Sequence, residues 1–166
     1  MLLSILVVSR SHKLLNQMLF SISNATSLNI INVEILCSWN GSNIDESKIK
    51  NSSGYNFKIA ERQKYHFSTN INSLAKKALG EILLIINDDI ILDDNSIDYA
   101  INQLVNNKKI GLVTGKLRYK NGMIQHVGIT FNSQNIPYHK FEKLIKSNSD
   151  LISEENQIIT AASGAL

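Results

Sequence analysis

The sequence predicts an α/β fold in which a mostly parallel sheet is flanked by helices. Runs of branched apolar residues recur at strand length, and segments with helical spacing separate most of them. Their order is strand, helix, strand, strand, helix, strand, helix, which is typical of a doubly wound sheet. Such sheets bind ligands at the carboxyl ends of their strands, near the point where the strand order reverses.

The elements of the first part of the chain follow from these patterns. Strands are predicted at the β-branched runs 2–9, 31–39, 55–61 and 81–86. Helices are predicted where apolar residues recur at helical spacing, at 13–23, 68–80 and 93–107. We expect Ser68 or Thr69 to be the N-cap of the middle helix and Gly80 to stop it. Asp93 and Asp94 are interpreted mostly as acids that favour the start of the last helix.

After Lys109 the pattern changes to shorter apolar runs. Residues 111–119 and 124–132 are predicted strands, joined by a hairpin turn at "KNG", Lys120 to Gly122. The apolar segment 158–166 is β-like, and we expect it to be a core strand.

Composition and charge limit the classes of function. The chain has 166 residues, 43% of them hydrophobic, which indicates one soluble globular domain. A net charge of +3 is too small to indicate nucleic acid, although it is compatible with an anionic small molecule or membrane surface. Cys37 has no partner for an internal disulfide, and "LLSILVVSR" lacks the features of a signal peptide. We therefore expect a cytoplasmic protein, at most peripheral to the inner face of the plasma membrane.

A cluster of polar side chains ends the fourth predicted strand. The run "EILLIINDDIILDD" turns from apolar to Asn87, Asp88 and Asp89, and a buried carboxylate is costly unless something positive meets it. Magnesium and manganese often bind through one or two carboxylates together with phosphate oxygens of a substrate. We therefore predict a metal site at Asp88 and Asp89. The ends "VVSRSH", "CSWNGS" and "INDDI" should converge on one crevice.

Several segments, in order, resemble the family 2 glycosyltransferases, which use nucleotide sugars and have the GT-A fold. The segments are "SILVVSR", "VEILCSWNGS", "FSTNINSLAKKALGEILLIINDDI", "TGKLRYKNGMIQHVGITF" and "ITAASGAL". The resemblance implies a metal-dependent, inverting transfer of a sugar from a nucleotide-diphosphate donor to a glycan or lipid-linked acceptor. It also implies a role in making a bacterial surface polysaccharide or glycan.

The resemblance assigns roles around the acids. Asp89 would coordinate Mn²⁺ or Mg²⁺ bridging the nucleotide diphosphate, and Asp88, a second candidate ligand, would lie with Asn87 near the ribose or diphosphate. Asn40 would read the base, with Ser9 and Arg10 on the neighbouring loop.

Further residues carry weaker assignments. His66 and Asn72 fall in a stretch that lines the nucleotide pocket in the family. Trp39 could stack on the base, or it could form a wall of the crevice. His126 could face the sugar or acceptor side, although a lone histidine on a strand is more often a satisfied structural residue.

The resemblance also implies an acid that serves as general base after the last strand. Glu154 and Glu155 precede that strand and do not match, so the base is expected beyond Leu166. The sequence is thus interpreted as a shortened GT-A domain, with 1–109 as the nucleotide-sugar-binding half and 110–166 as the start of the acceptor-side half. An incomplete sheet would expose an edge and an apolar patch, which favours self-association.

Two alternatives accompany this interpretation. One is a non-catalytic module that binds nucleotide or a partner protein. The other, a nucleotidyltransferase, is disfavoured because "SRSHKLL" stands where a glycine-rich basic loop should follow the first strand.

Overall fold

The computed structural model describes residues 1–152 and 156–164. The described chain forms two compact units, unit 1 (Met1–Gly111) and unit 2 (Leu112–Gly164). The boundary lies close to the predicted change of pattern after Lys109. Glu154, Glu155 and the end of the predicted strand 158–166 lie outside the described residues.

Unit 1 is built around a four-stranded parallel sheet. Its strands are β1 (Leu3–Ser9), β2 (Val33–Trp39), β3 (Asn56–Glu61) and β4 (Ile82–Asn87). Its helices are α1 (His12–Ala25), α2 (Asn43–Glu46), α3 (Phe67–Lys77) and α4 (Ser96–Asn106), with a 3₁₀ turn at Ile30–Asn32. The spatial order is β3-β2-β1-β4, so the strand order reverses between β1 and β4. The predicted α/β fold with a parallel sheet flanked by helices is confirmed.

Both faces of the sheet are covered where β1 and β2 lie. On one face α1 and α4 pack on alternate residues of these strands, such as Ile5 and Ile35. On the other face Leu74 of α3 packs against Leu6 and Leu36. Every residue of β1 and β2 is buried, which explains why these strands are mostly apolar in sequence.

Strand β4 is exposed on one face. Leu84 and Ile86 point into the core with α1, whereas Leu83 is 43% exposed and Ile85 is 37% exposed. Among the described residues β4 pairs only with β1. The apolar patch and the sheet edge anticipated from the sequence are therefore present, and self-association through them stays a prediction.

The start and end of α3 differ from the prediction. The N-cap is His66, whose Nδ1 accepts from the Thr69 amide at 3.4 Å, so Ser68 and Thr69 lie inside the helix. The helix ends at Lys77, before Gly80. Gly80 has a different role, because a Cβ at this position would lie 2.5 Å from the Ser4 backbone nitrogen. The glycine allows the chain to pass close to β1 as it enters β4.

Asp93 and Asp94 lie directly in front of α4, as the sequence predicted, but neither is its N-cap. The N-cap of α4 is Asn95, whose φ of 59° lies in the left-handed region that asparagine tolerates. Its side chain makes no capping hydrogen bond. The acid in the first turn is Asp98, which complements the positive end of the helix dipole.

Unit 2 consists of short antiparallel pairs. Strand β5 (Leu117–Arg118) pairs with β6 (Ile124–His126), and β7 (Ile129–Phe131) pairs with β8 (Pro137–His139). The predicted hairpin turn is confirmed, with Gly122 at φ 81°. The predicted strand 124–132 is interrupted, because Gly128 has a φ of 115° that a strand does not accommodate.

The predicted core strand at 158–166 is not formed in its described part. Ala161 makes a single isolated bridge to Ile129, and Ile158 is fully exposed. One rung of backbone pairing does not hold a strand, so apolar composition alone was misleading here. In the described ranges, no helix has the length and apolar character needed to cross a membrane.

Candidate functional site at the carboxyl ends of the strands

The ends of β1, β2 and β4 meet, as the sequence predicted. In the sheet register Ser9 lies opposite Trp39, and Val8 lies opposite Asn87. The Ser9 hydroxyl donates to Asp88 Oδ2 at 2.6 Å, which joins the ends of β1 and β4. The backbone nitrogen of Asn40 donates to the Ser9 carbonyl at 2.8 Å and joins β2 to the same place. A cluster of polar side chains therefore lies where the strand order reverses.

Asp88 is a half-buried carboxylate whose charge is only partly compensated. Burial raises its pKa, the hydrogen bond from Ser9 acts in the opposite direction, and the neighbouring charge of Asp89 raises the pKa further. Arg10 lowers it slightly, and the net pKa is above the ordinary value. Acids with a raised pKa cluster at functional sites, where a cation or a ligand donor favours the ionised form. Asp89 is exposed beside it.

The two acids fit one kind of metal site. Over the described residues, no group of three or more His, Cys, Asp and Glu side chains could hold a metal ion. A complete protein cage is therefore not offered by this part of the chain. Magnesium and manganese sites that take one or two carboxylates and complete their shell with phosphate oxygens and water need no more than Asp88 and Asp89.

Asn40 holds an unsatisfied acceptor at the same edge. Its Nδ2 donates to the carbonyl of Gln63, in the segment between β3 and α3. Its Oδ1 is buried and has no hydrogen-bond partner among the described residues. Leaving a buried acceptor unpaired costs about 1–3 kcal/mol, so a donor from a bound molecule would stabilise this arrangement.

Trp39 forms a wall of the crevice. The ring is 2% exposed, and its Nε1 donates to the Ser42 carbonyl at 3.3 Å. Gly41 passes directly beside it, where a Cβ would lie 2.8 Å from the Arg10 carbonyl oxygen. The main chain encloses the ring, so of the two sequence interpretations the structure favours the wall over stacking on a base.

Helix α3 presents a buried asparagine that the sequence analysis missed. Asn70 Nδ2 donates to Ser38 Oγ at 2.7 Å, and its Oδ1 accepts from the His66 amide at 2.7 Å. The predicted pocket residues His66 and Asn72 are both exposed, and His66 serves as the N-cap of α3. Helical spacing could have identified Asn70, because it lies four residues before the buried Leu74 and shares its face.

Glu61 is a second missed residue. Its side chain is only 5% exposed and pairs with Lys77 Nζ at 2.8 Å. It also accepts from the Ser73 hydroxyl and from Gln63 Nε2. Burial acts to raise the pKa of Glu61, but these donors outweigh it and leave the pKa below its ordinary value. The signal in the sequence was an acid at the end of the strand "NFKIAE".

Other charges near this edge are paired with one another. Glu46 of α2 holds Arg62 in a two-point contact, with Nε to Oε2 at 2.9 Å. Asp45 lies 3.2 Å from both His12 Nδ1 and Lys48 Nζ. Arg62 is therefore committed to Glu46, whereas Arg10 lies exposed on the loop that follows Ser9.

In unit 2 both ring nitrogens of His126 have partners. The residue is fully buried, its Nε2 accepts from the Ser163 amide at 3.3 Å, and its Nδ1 lies 2.9 Å from Nδ1 of His139. Since Nε2 accepts, Nδ1 carries the proton and donates to His139. Burial, together with His139, lowers the pKa of His126. This geometry favours the structural interpretation, and a role facing sugar stays a prediction.

Comparison with known proteins adds no relative. No protein family, no curated protein and no solved structure matches this chain. The resemblance to family 2 glycosyltransferases therefore rests on the sequence segments alone.

Proposed function

We propose that unit 1 binds the nucleotide diphosphate of a sugar donor together with a divalent cation. On this proposal the chain is the donor-binding portion of an inverting GT-A glycosyltransferase that acts on a glycan or lipid-linked acceptor. The observation that carries it is the hydrogen bond from Ser9 to Asp88 where the strand order reverses. It places a partly compensated carboxylate, with Asp89 next to it, where α/β sheets bind their ligands.

Asp88 and Asp89 are the residues that would hold Mn²⁺ or Mg²⁺. When bound, the cation supplies positive charge against the diphosphate that leaves the sugar. The Ser9 hydroxyl fixes the orientation of the Asp88 carboxylate in advance, at 2.6 Å. Arg10, exposed on the adjoining loop, is available to add positive charge at the diphosphate.

Asn40 is proposed to read the base. Its nitrogen is already engaged by the Gln63 carbonyl, and on this proposal ligand binding gives the buried, unpaired Oδ1 a donor. Uracil and guanine both carry a ring N–H that can donate to such an oxygen. The crevice would therefore take UDP or GDP in preference to a ligand with no donor at that position.

A second candidate is a module that binds the nucleotide without turning it over. Three acids at this edge, Asp45, Glu46 and Glu61, are each paired with a basic side chain. An acid in an ion pair is a weak general base, because its basic form is already stabilised. This pairing favours binding without transfer by the described residues of unit 1.

Calorimetric titration with UDP and GDP, each with and without Mn²⁺, tests the proposal. Metal-dependent binding of either nucleotide supports it, and no binding at millimolar ligand contradicts it. Incubation with the corresponding nucleotide sugar then separates the two candidates. Release of the nucleoside diphosphate supports a transferase, whereas binding with no release over hours supports the non-catalytic module.

A further inference from the structure

A contact between two histidines joins three segments of unit 2. His126 of β6 is fully buried, and its Nδ1 lies 2.9 Å from Nδ1 of His139, the last residue of β8. The Nε2 atom of His126 accepts from the Ser163 amide at 3.3 Å. The two rings meet edge to face, with 5.0 Å between their centroids. The proposed donor site in unit 1 makes no use of this pair.

The hydrogen bonds of the pair leave no place for an additional proton. A neutral imidazole has one N–H and one basic nitrogen. The basic Nε2 of His126 accepts from Ser163, and the basic Nδ1 of His139 accepts from His126. A proton on His139 Nδ1 would set two N–H groups against each other, and a proton on His126 Nε2 would set an N–H against the Ser163 amide. Every protonated form of the pair therefore loses one contact.

The same arrangement disfavours a metal ion between the two rings. Such an ion would need the lone pair of both Nδ1 atoms, because a histidine binds metal through an unprotonated nitrogen. The Ser163 amide occupies the lone pair of His126 Nε2, which leaves the His126 proton on Nδ1. The pair is thus a proton-sensitive contact and not a set of metal ligands.

The contact with Ser163 is the weaker of the two. Its length of 3.3 Å exceeds that of an ordinary hydrogen bond from an amide, whereas the ring nitrogens lie 2.9 Å apart. A charge on the pair strengthens the bond between the rings, because hydrogen bonds with an ionised partner are stronger. The added proton therefore binds at His126 Nε2 and displaces the Ser163 amide.

The segment on the far side of this contact is 157–164. Within the described residues it belongs to no helix or strand. Ala161 makes the isolated bridge to Ile129, whose amide donates to its carbonyl at 2.9 Å. Ile159 packs on Gly128, where a Cβ would lie 2.9 Å from Ile159 Cγ2. A segment with so little regular backbone pairing is released at a low cost in free energy, so the loss of one contact shifts its equilibrium.

We propose that the His126–His139 pair is a pH-sensitive switch that holds segment 157–164 on unit 2 and releases it when the pair takes up a proton. In the neutral pair both contacts form and the segment is attached. In the protonated pair the two rings stay together, and His126 Nε2 changes from an acceptor to a donor that repels the Ser163 amide. On the proposed function unit 2 begins the acceptor-side half, so the switch would act there; that clause alone rests on the proposed function.

The charged groups around the pair indicate the pH range. Burial and His139 lower the pKa of His126, so attachment is complete above the ordinary histidine pKa of about 6.5 and is lost as the pH falls below it. Glu142 is the acid that interacts with His139, and it accepts from Tyr119 Oη at 2.7 Å. Segment 157–164 has no charged residue. The other charged side chains on the neighbouring segments of unit 2 are Arg118, Lys140 and Lys143.

NMR of the full chain tests the switch with no nucleotide present. The ring ¹⁵N signals show which nitrogens carry protons, and amide exchange, corrected for its intrinsic pH dependence, shows whether the segment is attached. At about pH 8 we expect His126 to be protonated on Nδ1 alone, and at about pH 5 on Nε2 as well. Protection of the Ser163 and Ile129 amides should then fall about tenfold, the effect of losing about one hydrogen bond. The Gly122 and Ile124 amides, bonded elsewhere in unit 2, should keep their protection.

The test variant is His139→Asn, and the control is His12→Asn. The asparagine oxygen can accept from His126 Nδ1 but takes up no proton, so the stronger bond between charged rings is lost. The pH midpoint of release should therefore fall by at least about one unit. His12 lies in unit 1 beside Asp45, and its replacement should leave the midpoint unchanged.

Constant protection of Ser163 across the pH range would overturn the inference, and so would equal midpoints in His139→Asn and wild type. An equal loss of protection at Gly122 and Ile124 would also overturn it, because unit 2 would then unfold as a whole. If His139→Asn does not fold, the wild-type ring signals decide: a His126 proton on Nε2 at about pH 8 would contradict the switch. None of these measurements depends on nucleotide binding, so a failure of the proposed function is a separate result.

Discussion

The two ends of the parallel sheet in unit 1 differ in how fully their buried polar groups are hydrogen-bonded. At the amino end, Glu34 accepts from the Ser4 hydroxyl at 2.6 Å and from the Leu79 amide at 2.7 Å, and the Gly80 amide donates to the same serine. At the carboxyl end, Asn40 keeps a buried oxygen with no partner among the described residues, and the Ser9 hydroxyl holds Asp88 beside a second negative charge. We call the amino end closed, because its described buried polar groups are all paired as the fold requires. We call the carboxyl end open, because an unpaired buried group indicates a place for a ligand.

The largest expected effect on stability lies at the closed end. Gly80→Val would place its Cβ 2.5 Å from the Ser4 nitrogen and force β1 and the entry to β4 apart. We expect a loss of about 3 kcal/mol in the free energy of unfolding, measured by denaturant titration. The control is Gly111→Ala, since a Cβ at Gly111 meets no atom within 4 Å. Equal stability of the two variants would show that the close approach at Gly80 does not exist.

The next effect is functional and lies at the open end. Asp89→Asn should weaken Mn²⁺-dependent nucleotide binding about a hundredfold, since the proposed metal ligand would lose its charge. Unfolding by denaturant should stay within about 0.5 kcal/mol of wild type. Asp94→Asn, which alters another exposed acid further along the chain, is the control and should bind as wild type does. If both variants bind alike, Asp89 is not a ligand.

A smaller effect on stability is expected at Asp98, a carboxylate that, like Glu34, accepts several hydrogen bonds. Partial burial acts to raise the pKa of Asp98, but hydrogen bonds from Thr26 and Ser27 outweigh it and leave the pKa below its ordinary value. A lowered folded-state pKa stabilises the fold above the unfolded pKa of about 4 and loses this contribution as the pH falls through the folded value. Asp98→Asn should therefore cost about 1 kcal/mol at pH 7.

The measurement is urea unfolding of wild type and Asp98→Asn between pH 7 and pH 2. The difference between the two proteins should shrink as the pH falls. A difference that is constant with pH would show that the ionised form of Asp98 is not the one that the fold stabilises.

The smallest expected effect is a gain in stability, on replacing Asp88 at the carboxyl end of the sheet. Because the pKa of Asp88 is raised, the fold disfavours its charged form. The contribution of Asp88 to stability should decline as the pH rises from about 4 through its raised folded-state pKa, so the stability of Asp88→Asn relative to wild type should grow over this range. Without metal we expect the variant to be more stable than wild type by about 0.5–1 kcal/mol at pH 7. A loss of stability on thermal unfolding would instead make Asp88 a structural residue.

Local patterns predicted the centre of the sheet well because β1 and β2 are buried on both faces. Strands β1 and β2 were found within two residues of their observed limits, and the reversal of strand order follows from the order of elements. The meeting of Ser9 and Asp88 was predictable as a place, since parallel strands end together. The apolar segment 158–166 misled because composition does not reveal whether a partner strand exists.

The missed residues depend on contacts between elements. Glu61 is paired by Lys77 and Ser73 of α3, and although its place at a strand end was visible in the sequence, these partners were not. His66 is the N-cap of α3 because the helix begins at Phe67, before Ser68 and Thr69. Capping preferences favour serine and threonine, and here the packing of the helix start decided otherwise.

The most direct test of an open, ligand-binding end is paramagnetic broadening of backbone amide signals by Mn²⁺ with UDP or GDP present. The account predicts broadening of Ser9, Asn40 and Asp89 at the carboxyl end, with the signals of Glu34 and Gly80 at the amino end unaffected. Broadening that is absent, uniform or centred on the amino end would contradict the account.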